Sequence, residues 1–215
     1  MNIDEFIKNI KELKINYNKE QLDKLNKYYE LLIEYNNYMN LTTITDKKQV
    51  YLKHFYDSLT LCRIYDFNKE IALCDIGTGA GFPGIVLKIF FPNIKILLVD
   101  SLNKRILFLK KVISELNLEK IDAIHSRIED YAIKNKEKFD VVTARAVAPL
   151  NILLEYSMPL IKKDGFFLAL KGKEEEKNKY FNALNKLNSK IIFIDKFKLP
   201  IEDSERTLVK IYKND

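Results

Sequence analysis

Apolar positions recur every three or four residues through the first part of the chain and predict helices there. The longest such stripe lies within residues 19–39 and contains Leu22, Leu25, Tyr29, Leu32, Asn36 and Met39. This spacing places the apolar side chains on one face of a helix that must pack against a core. Similar patterns over residues 3–13 and 50–61 predict further helices. We therefore expect a helical extension over residues 1–65.

From residue 71 onward, short apolar runs alternate with helical patterns. The predicted strands cover residues 71–75, 94–99, 120–125, 139–143, 166–170, 190–197 and 206–212. The predicted helices cover residues 83–91, 103–117, 128–135, 149–159 and 174–188. Such alternation predicts an α/β fold in which a parallel sheet carries helices on both faces. The last two runs have no helix between them and predict an antiparallel pair at one edge.

The predicted organisation is a mostly parallel sheet of seven strands over residues 66–215. The chain of 215 residues is 47% hydrophobic, which is enough for one substantial core. We therefore expect the helical extension and the sheet to form one compact unit.

The segment over residues 71–100 carries the strongest functional signal. It reads IALCDIGTGAGFPGIVLKIFFPNIKILLVD, a strand, a glycine-rich turn, a helix and a second strand that ends in Asp100. Glycines let the backbone of the turn approach a ligand closely. Asp100 lies 23 residues after Gly77 (100 − 77), the distance at which an acid in a βαβ unit reaches the hydroxyls of a ribose. This predicts a pocket for a nucleoside cofactor.

The spacing of the glycines favours a cofactor without phosphate groups. A dinucleotide-binding turn has its third glycine where this chain has Phe82, and a bulky ring would stand beside the diphosphate. S-adenosylmethionine (AdoMet) fits better, with its ribose on Asp100 and its methionine end along the turn from Gly77. Two alternatives stay open at this point: a nicotinamide-dependent oxidoreductase, and a tight turn that binds nothing.

Charge and composition narrow the class of protein. The net charge of +6 permits a polyanionic partner without requiring one. No apolar run approaches the ~20 residues of a membrane span, and the acidic, interrupted start of the chain differs from a secretion signal. We expect a cytoplasmic protein that does not bind membranes. Two cysteines and two histidines without ligand spacing predict no metal site.

Basic residues follow the predicted carboxyl ends of the strands, where ligands bind in open α/β sheets. These residues are Lys104, Arg105, Arg127, Arg145 and Lys171. Arg145 is the most informative, because it stands in an otherwise small and apolar stretch, TARAVAPL. A structural salt bridge from Arg145 to Asp75 or Glu129 is the competing interpretation. Lys104 and Arg105 also have a competing interpretation, in which they simply stand at the exposed start of a helix.

The residues after the fourth strand also limit the acceptor of a methyl group. The sequence there lacks the Asn/Asp-Pro-Pro-aromatic run of adenine amine methylation and the cysteine of pyrimidine carbon methylation. A ring nitrogen such as guanine N7 needs no base, so positioning alone suffices.

His54 and Asp57 lie three residues apart and predict either a contact to RNA with Asp57 orienting His54, or a local hydrogen-bonded pair.

Seven sequence blocks together resemble one known family. They are NLT at 40–42, HFYDS at 54–58, DIGTGAGFPGIVL at 75–87, DSLNKRILFL at 100–109, SRIED at 126–130, ARA at 144–146 and ALKG at 169–172. In this order they resemble the glucose-inhibited division protein B family, the small-subunit ribosomal RNA guanine-N7 methyltransferases. The resemblance implies a class I (Rossmann-like) methyltransferase fold, AdoMet as methyl donor and a guanine in the decoding region of 16S rRNA as acceptor. Ala80, Phe82 and the lack of tryptophan are mild departures.

The same resemblance, joined to the strand-end rule, assigns roles to individual residues. The AdoMet contacts are expected from Gly77, Thr78, Gly79, Phe82, Asp100, Ser101, Ile128, Glu129 and Arg145. The RNA contacts are expected from His54, Lys104, Arg105, Lys171 and Arg206. Arg145 is the expected catalytic residue, between donor and acceptor. The expected partner is 16S rRNA or the small ribosomal subunit, with the protein acting as a monomer. A non-enzymatic RNA-binding assembly factor is the remaining alternative.

Overall fold

A computed structural model describes residues 1–145, 147–172 and 180–214. Two amphipathic helices come first along the chain. Helix α1 covers Ile3–Glu12 and helix α2 covers Lys19–Met39. Asn2 and Asn18 cap them, each in a reciprocal capping box that satisfies free backbone N–H groups. Helix α2 ends at Asn40, whose left-handed conformation stops it.

A run of short helical segments leads from α2 to the sheet. Helix α3 (Lys47–Val50) continues into a π-helix (Tyr51–Tyr56), helix α4 (Asp57–Leu59) and a 3₁₀-helix (Thr60–Arg63). This segment is buried along most of its length, so it is part of the core. No helix among the described residues has both the length and the apolar character needed to cross a bilayer.

The sheet contains seven strands in the order β3-β2-β1-β4-β5-β7-β6. The strands are β1 (Ala72–Ile76), β2 (Lys95–Asp100), β3 (Ile121–His125), β4 (Phe139–Arg145), β5 (Ile161–Lys171), β6 (Ser189–Lys198) and β7 (Glu205–Lys213). Strands β1 to β5 are mutually parallel, and β7 runs antiparallel to both β5 and β6. The predicted architecture is therefore confirmed, including the antiparallel pair.

Helices cover the sheet on both faces. They are α5 (Gly84–Phe90), α6 (Asn103–Glu115), α7 (Ile128–Lys134), α8 (Leu150–Ser157), a 3₁₀-helix (Met158–Leu160) and α9 (Phe181–Lys186). The first part of the predicted helix over 174–188 lies outside the described residues. Neighbouring strand residues face different cores, since Leu73 belongs to one cluster and Cys74 to the other.

The amino-terminal helices share a hydrophobic core with one face of the sheet. Helix α2 contributes the fully buried side chains of Leu25, Tyr28 and Leu32 to the cluster that also contains Leu73 and Ile85. Each such burial stabilises the fold by roughly 2 kcal/mol. This packing brings the segment around His54 to the carboxyl ends of the parallel strands.

Candidate functional site

The glycine-rich loop after β1 is held in a conformation that glycine favours. Gly77, Gly79 and Gly81 all have positive φ angles, of 62°, 61° and 103°. The Thr78 N–H donates to the Val99 carbonyl at 3.2 Å, which ties the loop to β2. The loop therefore presents its backbone at the carboxyl ends of β1 and β2.

Asp75 fixes the loop from inside the protein. One oxygen of its carboxylate, Oδ2, accepts hydrogen bonds from the Thr78 hydroxyl at 2.6 Å and the Gly84 N–H at 2.9 Å. The other oxygen, Oδ1, is buried without a hydrogen-bond partner among the described residues. Burial raises the pKa of Asp75 to about 7. This carboxyl is thus a structural support behind the loop.

Asp100 ends β2 beside the loop, as predicted. Its Oδ2 atom accepts from the Gly79 N–H at 2.9 Å, and its Oδ1 atom accepts from the Leu102 N–H at 2.9 Å. The Arg105 guanidinium lies 3.1 Å from Oδ2 and forms an ion pair with it. Arg105, predicted to contact RNA, is therefore directed at the predicted ribose-binding carboxylate from the first turn of α6.

Phe82 lies inside a cluster of rings. The imidazole of His54 stacks on it with 4.5 Å between centroids and 17° between planes, and the Tyr28 ring lies 5.4 Å away. The Tyr28 hydroxyl donates to the Ala80 carbonyl. Helix α2 and the π-helix therefore both support the loop, and Phe82 is only 4% exposed.

Arg145 is the centre of a network that joins β4 to the amino-terminal helices. Its Nη1 atom donates to the Lys53 carbonyl at 2.8 Å and lies 3.4 Å from Oδ2 of Asp57, while Nη2 lies 3.1 Å from Nδ1 of His54. Its guanidinium carbon lies 5.0 Å from the Phe82 ring centroid, in a cation–π contact. These contacts fix the guanidinium in one orientation.

The ion-pair partner of Arg145 differs from the two that its sequence position suggests. Asp75 is already bonded to Thr78 and the loop, and the Glu129 side chain is hydrogen-bonded to Tyr156 instead. Asp57 takes their place. Its carboxylate, 4% exposed as a residue, also accepts from Nε of Arg206 at 2.9 Å. Arg206 is therefore part of the same network.

His54 is a neutral base in this arrangement. Burial and the Arg145 charge lower the pKa of His54 to about 3. Nδ1 lies 3.1 Å from Nη2 of Arg145, which can only donate, and 3.1 Å from the Lys53 carbonyl, which can only accept, while Nε2 lies 3.0 Å from the Thr42 hydroxyl. No hydrogen bond joins the side chains of His54 and Asp57. The π-helical turn places residues that are three positions apart on different faces of the helix.

These residues enclose a cavity of about 470 Å³ at the carboxyl ends of the parallel strands. Its size is in the range of ordinary cofactor pockets. The predicted residues that line it are His54, Gly77, Thr78, Gly79, Phe82, Arg105, Arg145, Lys171 and Arg206. Asp100 reaches it through its bonds to Gly79 and Arg105. The Lys171 ammonium donates to the Ala148 carbonyl at 2.7 Å.

Besides Asp100, four predicted residues lie outside the lining of this cavity. Ser101 is exposed directly after β2, and Lys104 is exposed in the first turn of α6. Ile128 and Glu129 begin α7 after β3, the strand that neighbours β2 in the sheet. All four are at the same edge of the sheet as Asp100, next to the cavity rather than in it.

Three further polar residues of the cavity were not expected to contact the cofactor or RNA themselves. Thr42, Lys53 and Asp57 all line the cavity and bond to His54 or Arg145. The blocks NLT and HFYDS contain Thr42 and Asp57, but the partners of Asp57, Arg145 and Arg206, are far along the chain. Lys53 contributes its backbone carbonyl, and a sequence does not show which backbone groups take part in a site. Among the described residues, no cluster of acids, cysteines or histidines has the makings of a metal site.

The fold and the loop define the class of protein. The structure resembles that of a SAM-dependent methyltransferase from Aquifex aeolicus, with a TM-score of 0.58 at 15% identity over 78% of this chain and 93% of that one. It also resembles TYW2 of M. jannaschii in complex with AdoMet, with a TM-score of 0.57 at 15% identity over 69% and 71% of the two chains. The chain therefore has the class I methyltransferase fold.

Sequence comparison gives the family. The chain is 46% identical over 217 residues to ribosomal RNA small subunit methyltransferase G of Bacillus subtilis (strain 168), covering 99% of this chain and 91% of the relative. The family model for rRNA small subunit methyltransferase G (GidB) matches residues 21–206. The chain belongs to this family. Its membership decides against the nicotinamide chemistry that the βαβ unit alone left open.

The residues of the cavity fit AdoMet. The cofactor carries no phosphate group. The loop offers it backbone groups and Asp100, and Phe82 stands where a diphosphate-binding loop has its third glycine. A Cβ atom added at Gly77 would lie 2.6 Å from Cγ2 of Val147, so this position has no room for a side chain. Asp100 and the loop from Gly77 to Gly79 are therefore the groups that would hold the ribose and the methionine end.

Proposed function

We propose that the protein methylates N7 of a guanine in 16S rRNA of the small ribosomal subunit, as a monomer in the cytoplasm. AdoMet supplies a methyl group on a positively charged sulfur when it is bound. Asp100 holds the ribose, the loop from Gly77 holds the methionine end, and the carboxyl edge next to Ser101, Ile128 and Glu129 receives the adenine. Family membership and the geometry of the cavity support this proposal.

The observation that favours a ring nitrogen as acceptor is the lack of an available base. Asp57, the acid that lines the cavity among the described residues, is bonded to both Arg145 and Arg206. The neutral His54 has one ring nitrogen on Arg145 and the other on Thr42. Guanine N7 carries a lone pair and needs no deprotonation, so an aligned donor and acceptor suffice.

Arg145 and its neighbours then act by position. The Arg145 side chain is 15% exposed, and its guanidinium is held by the Lys53 carbonyl, Asp57 and Phe82, so it lines the cavity with a fixed, partly desolvated charge. We place it between the donor and the acceptor, with His54, Lys171 and Arg206 on the RNA side. Lys104, exposed beside the cavity, supplies a further phosphate contact in this proposal.

Nucleoside analysis of ribosomal RNA tests this function. Small-subunit RNA from cells with and without the gene is digested and analysed by mass spectrometry. We expect 7-methylguanosine to decrease in the 16S RNA of the deleted strain and to return when the gene is restored. An unchanged amount of 7-methylguanosine would overturn the proposal.

A further inference from the structure

The hydroxyl group of Tyr28 lies in the apolar core between helix α2 and the sheet. Tyr28 is fully buried, its ring stacks on Phe55 with 5.5 Å between centroids, and the Phe82 ring lies 5.4 Å away. Burial raises the pKa of Tyr28 well above its ordinary value, so the hydroxyl keeps its proton and donates. A buried hydroxyl costs free energy unless it is hydrogen-bonded, so its bonding partner shows what it contributes.

That partner is a backbone group of the glycine-rich loop. The Tyr28 hydroxyl donates to the Ala80 carbonyl, 52 residues along the chain. The N–H group of the same peptide unit, that of Gly81, donates to the Thr78 carbonyl at 2.9 Å. Because a peptide unit is planar, bonds at its two ends fix its orientation. The peptide between Ala80 and Gly81 therefore cannot rotate without breaking one of these bonds.

Gly81 provides the space that the Tyr28 hydroxyl occupies. A Cβ atom at Gly81 would lie 2.7 Å from the Tyr28 oxygen and 2.7 Å from Cδ1 of Ile85, closer than such atoms approach. The φ angle of Gly81, 103°, also lies in the region that favours glycine. The hydroxyl on α2 and the missing side chain in the loop therefore fit each other.

The bond directs a carbonyl oxygen into the core and away from the cavity. Ala80 lines the cavity together with Gly77 and Gly79, whereas Tyr28 lies behind the loop and has no exposed surface. The methionine end of AdoMet carries a carboxylate, and a carbonyl oxygen that turned toward this group would repel it. The bond to Tyr28 therefore keeps the cavity side of the loop suited to the cofactor.

We propose that Tyr28 is a positioning residue for AdoMet, whose hydroxyl holds the peptide between Ala80 and Gly81 in the conformation that binds the cofactor. Tyr28 acts through the loop, because it does not line the cavity itself. The apparent affinity for a ligand falls by the fraction of molecules whose site has the binding conformation. Helix α2 of the amino-terminal extension therefore sets the affinity for AdoMet. This role is independent of which nucleotide of the RNA is methylated.

Binding of AdoMet to variants that lack one hydroxyl tests this role. Wild type, Tyr28→Phe and Ser157→Ala are titrated with AdoMet by calorimetry in the absence of RNA. Ser157→Ala is the matched control, because it also removes a buried hydroxyl that donates to a backbone carbonyl, that of Leu153 at 2.5 Å in α8. Thermal unfolding without AdoMet gives the stability of each variant. Amide hydrogen exchange at Gly81 reports opening of the loop itself.

We expect Tyr28→Phe to weaken AdoMet binding about tenfold, since a buried carbonyl loses its donor, and to speed amide exchange at Gly81. Ser157→Ala should lose stability but bind AdoMet as wild type does. In methyl transfer, Tyr28→Phe should raise the KM for AdoMet, while the rate at saturating AdoMet stays near that of wild type.

Two results would overturn the inference. Tyr28→Phe could bind AdoMet as wild type does, or Ser157→Ala could lose the same affinity, and either result would leave Tyr28 with a purely structural role. The calorimetry needs no RNA, so a failure of the proposed function would leave the binding result standing.

Discussion

Asp57 and Arg145 lie 88 residues apart in sequence, yet their side chains meet, with 3.4 Å between Oδ2 and Nη1, at the edge of the cavity. Asp57 binds Arg206 with its other oxygen, so one buried carboxylate orients two cations. The amino-terminal helices thereby contribute to the site directly.

Asp57→Asn should impair both stability and activity. The substitution removes the negative charge that the guanidinium groups of Arg145 and Arg206 share. Removing one partner of a buried ion pair lowers the free energy of unfolding by about 3 kcal/mol. Misplacement of Arg145 should lower methyl transfer about 100-fold. Chemical denaturation and transfer of labelled methyl groups measure the two effects. Asp203→Asn, which alters an exposed pair with Lys198, is the control and should change neither.

The pKa of His54 provides a test of the Arg145 contact. The imidazole should stay neutral from pH 8 down to pH 5, as followed by NMR of the two histidines. Arg145→Ala removes one of the two main causes of the lowered pKa, so the pKa should rise while methyl transfer is lost. A His54 signal that titrates in wild type as in a free peptide would contradict this network.

The same pKa predicts a loss of stability in acid. The folded protein keeps His54 neutral down to pH about 3, whereas the unfolded chain takes up its proton near 6.5. Between these two pH values the unfolded state binds more protons than the folded state. Protonation of His54 in the unfolded chain therefore lowers the free energy of unfolding as the pH falls. His54→Gln should make denaturation less dependent on pH between 6.5 and 4. An unchanged dependence would show that His54 is not the responsible group.

Asp100→Asn should weaken AdoMet binding between about tenfold and 100-fold. Hydrogen bonds to a charged group contribute ~1.5–3 kcal/mol, and the amide replaces one acceptor by a donor. Calorimetry with AdoMet measures the affinity, and thermal unfolding checks that the loop contact to Gly79 survives. Asp23→Asn, at an exposed position of α2, should bind as wild type does. Equal affinities for all three proteins would remove Asp100 from the cofactor site.

Two glycines near the loop should respond differently to alanine. A Cβ atom at Gly84 would lie 2.3 Å from Cδ2 of Leu98 and 2.8 Å from Oδ2 of Asp75, so Gly84→Ala should cost about 1–3 kcal/mol through overpacking. Gly79 has open space around it, and Gly79→Ala should cost only the strain of its positive φ, roughly 1 kcal/mol. Denaturation midpoints compare them, and the reverse order would contradict the packing described.

Local patterns predicted most of the fold. Strand and helix periodicities gave the order of the elements, with boundaries within a few residues. The start of β5 was missed, because Lys162, Lys163 and Asp164 are polar and the register against β4 shifts there. Such an irregularity bends the strand and hides its apolar alternation.

The site was predictable only where one βαβ unit builds it. The loop and Asp100 follow from spacing within 23 residues (100 − 77). By contrast, the Asp57 contacts to Arg145 and Arg206 span 88 and 149 residues, and they depend on how the helical extension packs on the sheet. Arg105, whose contact to RNA stays a prediction, pairs with Asp100. Sequence gives a side chain's position, while its direction depends on neighbours far along the chain.

The most direct test of the account is methyl transfer by the purified protein. Small ribosomal subunits or their RNA from the deleted strain are incubated with methyl-labelled AdoMet and with wild type or Arg145→Ala. We expect label from wild type to be recovered as 7-methylguanosine in 16S RNA, and almost none from the variant. Label in another nucleoside, or equal transfer by the variant, would contradict a guanine-N7 methyltransferase that depends on Arg145.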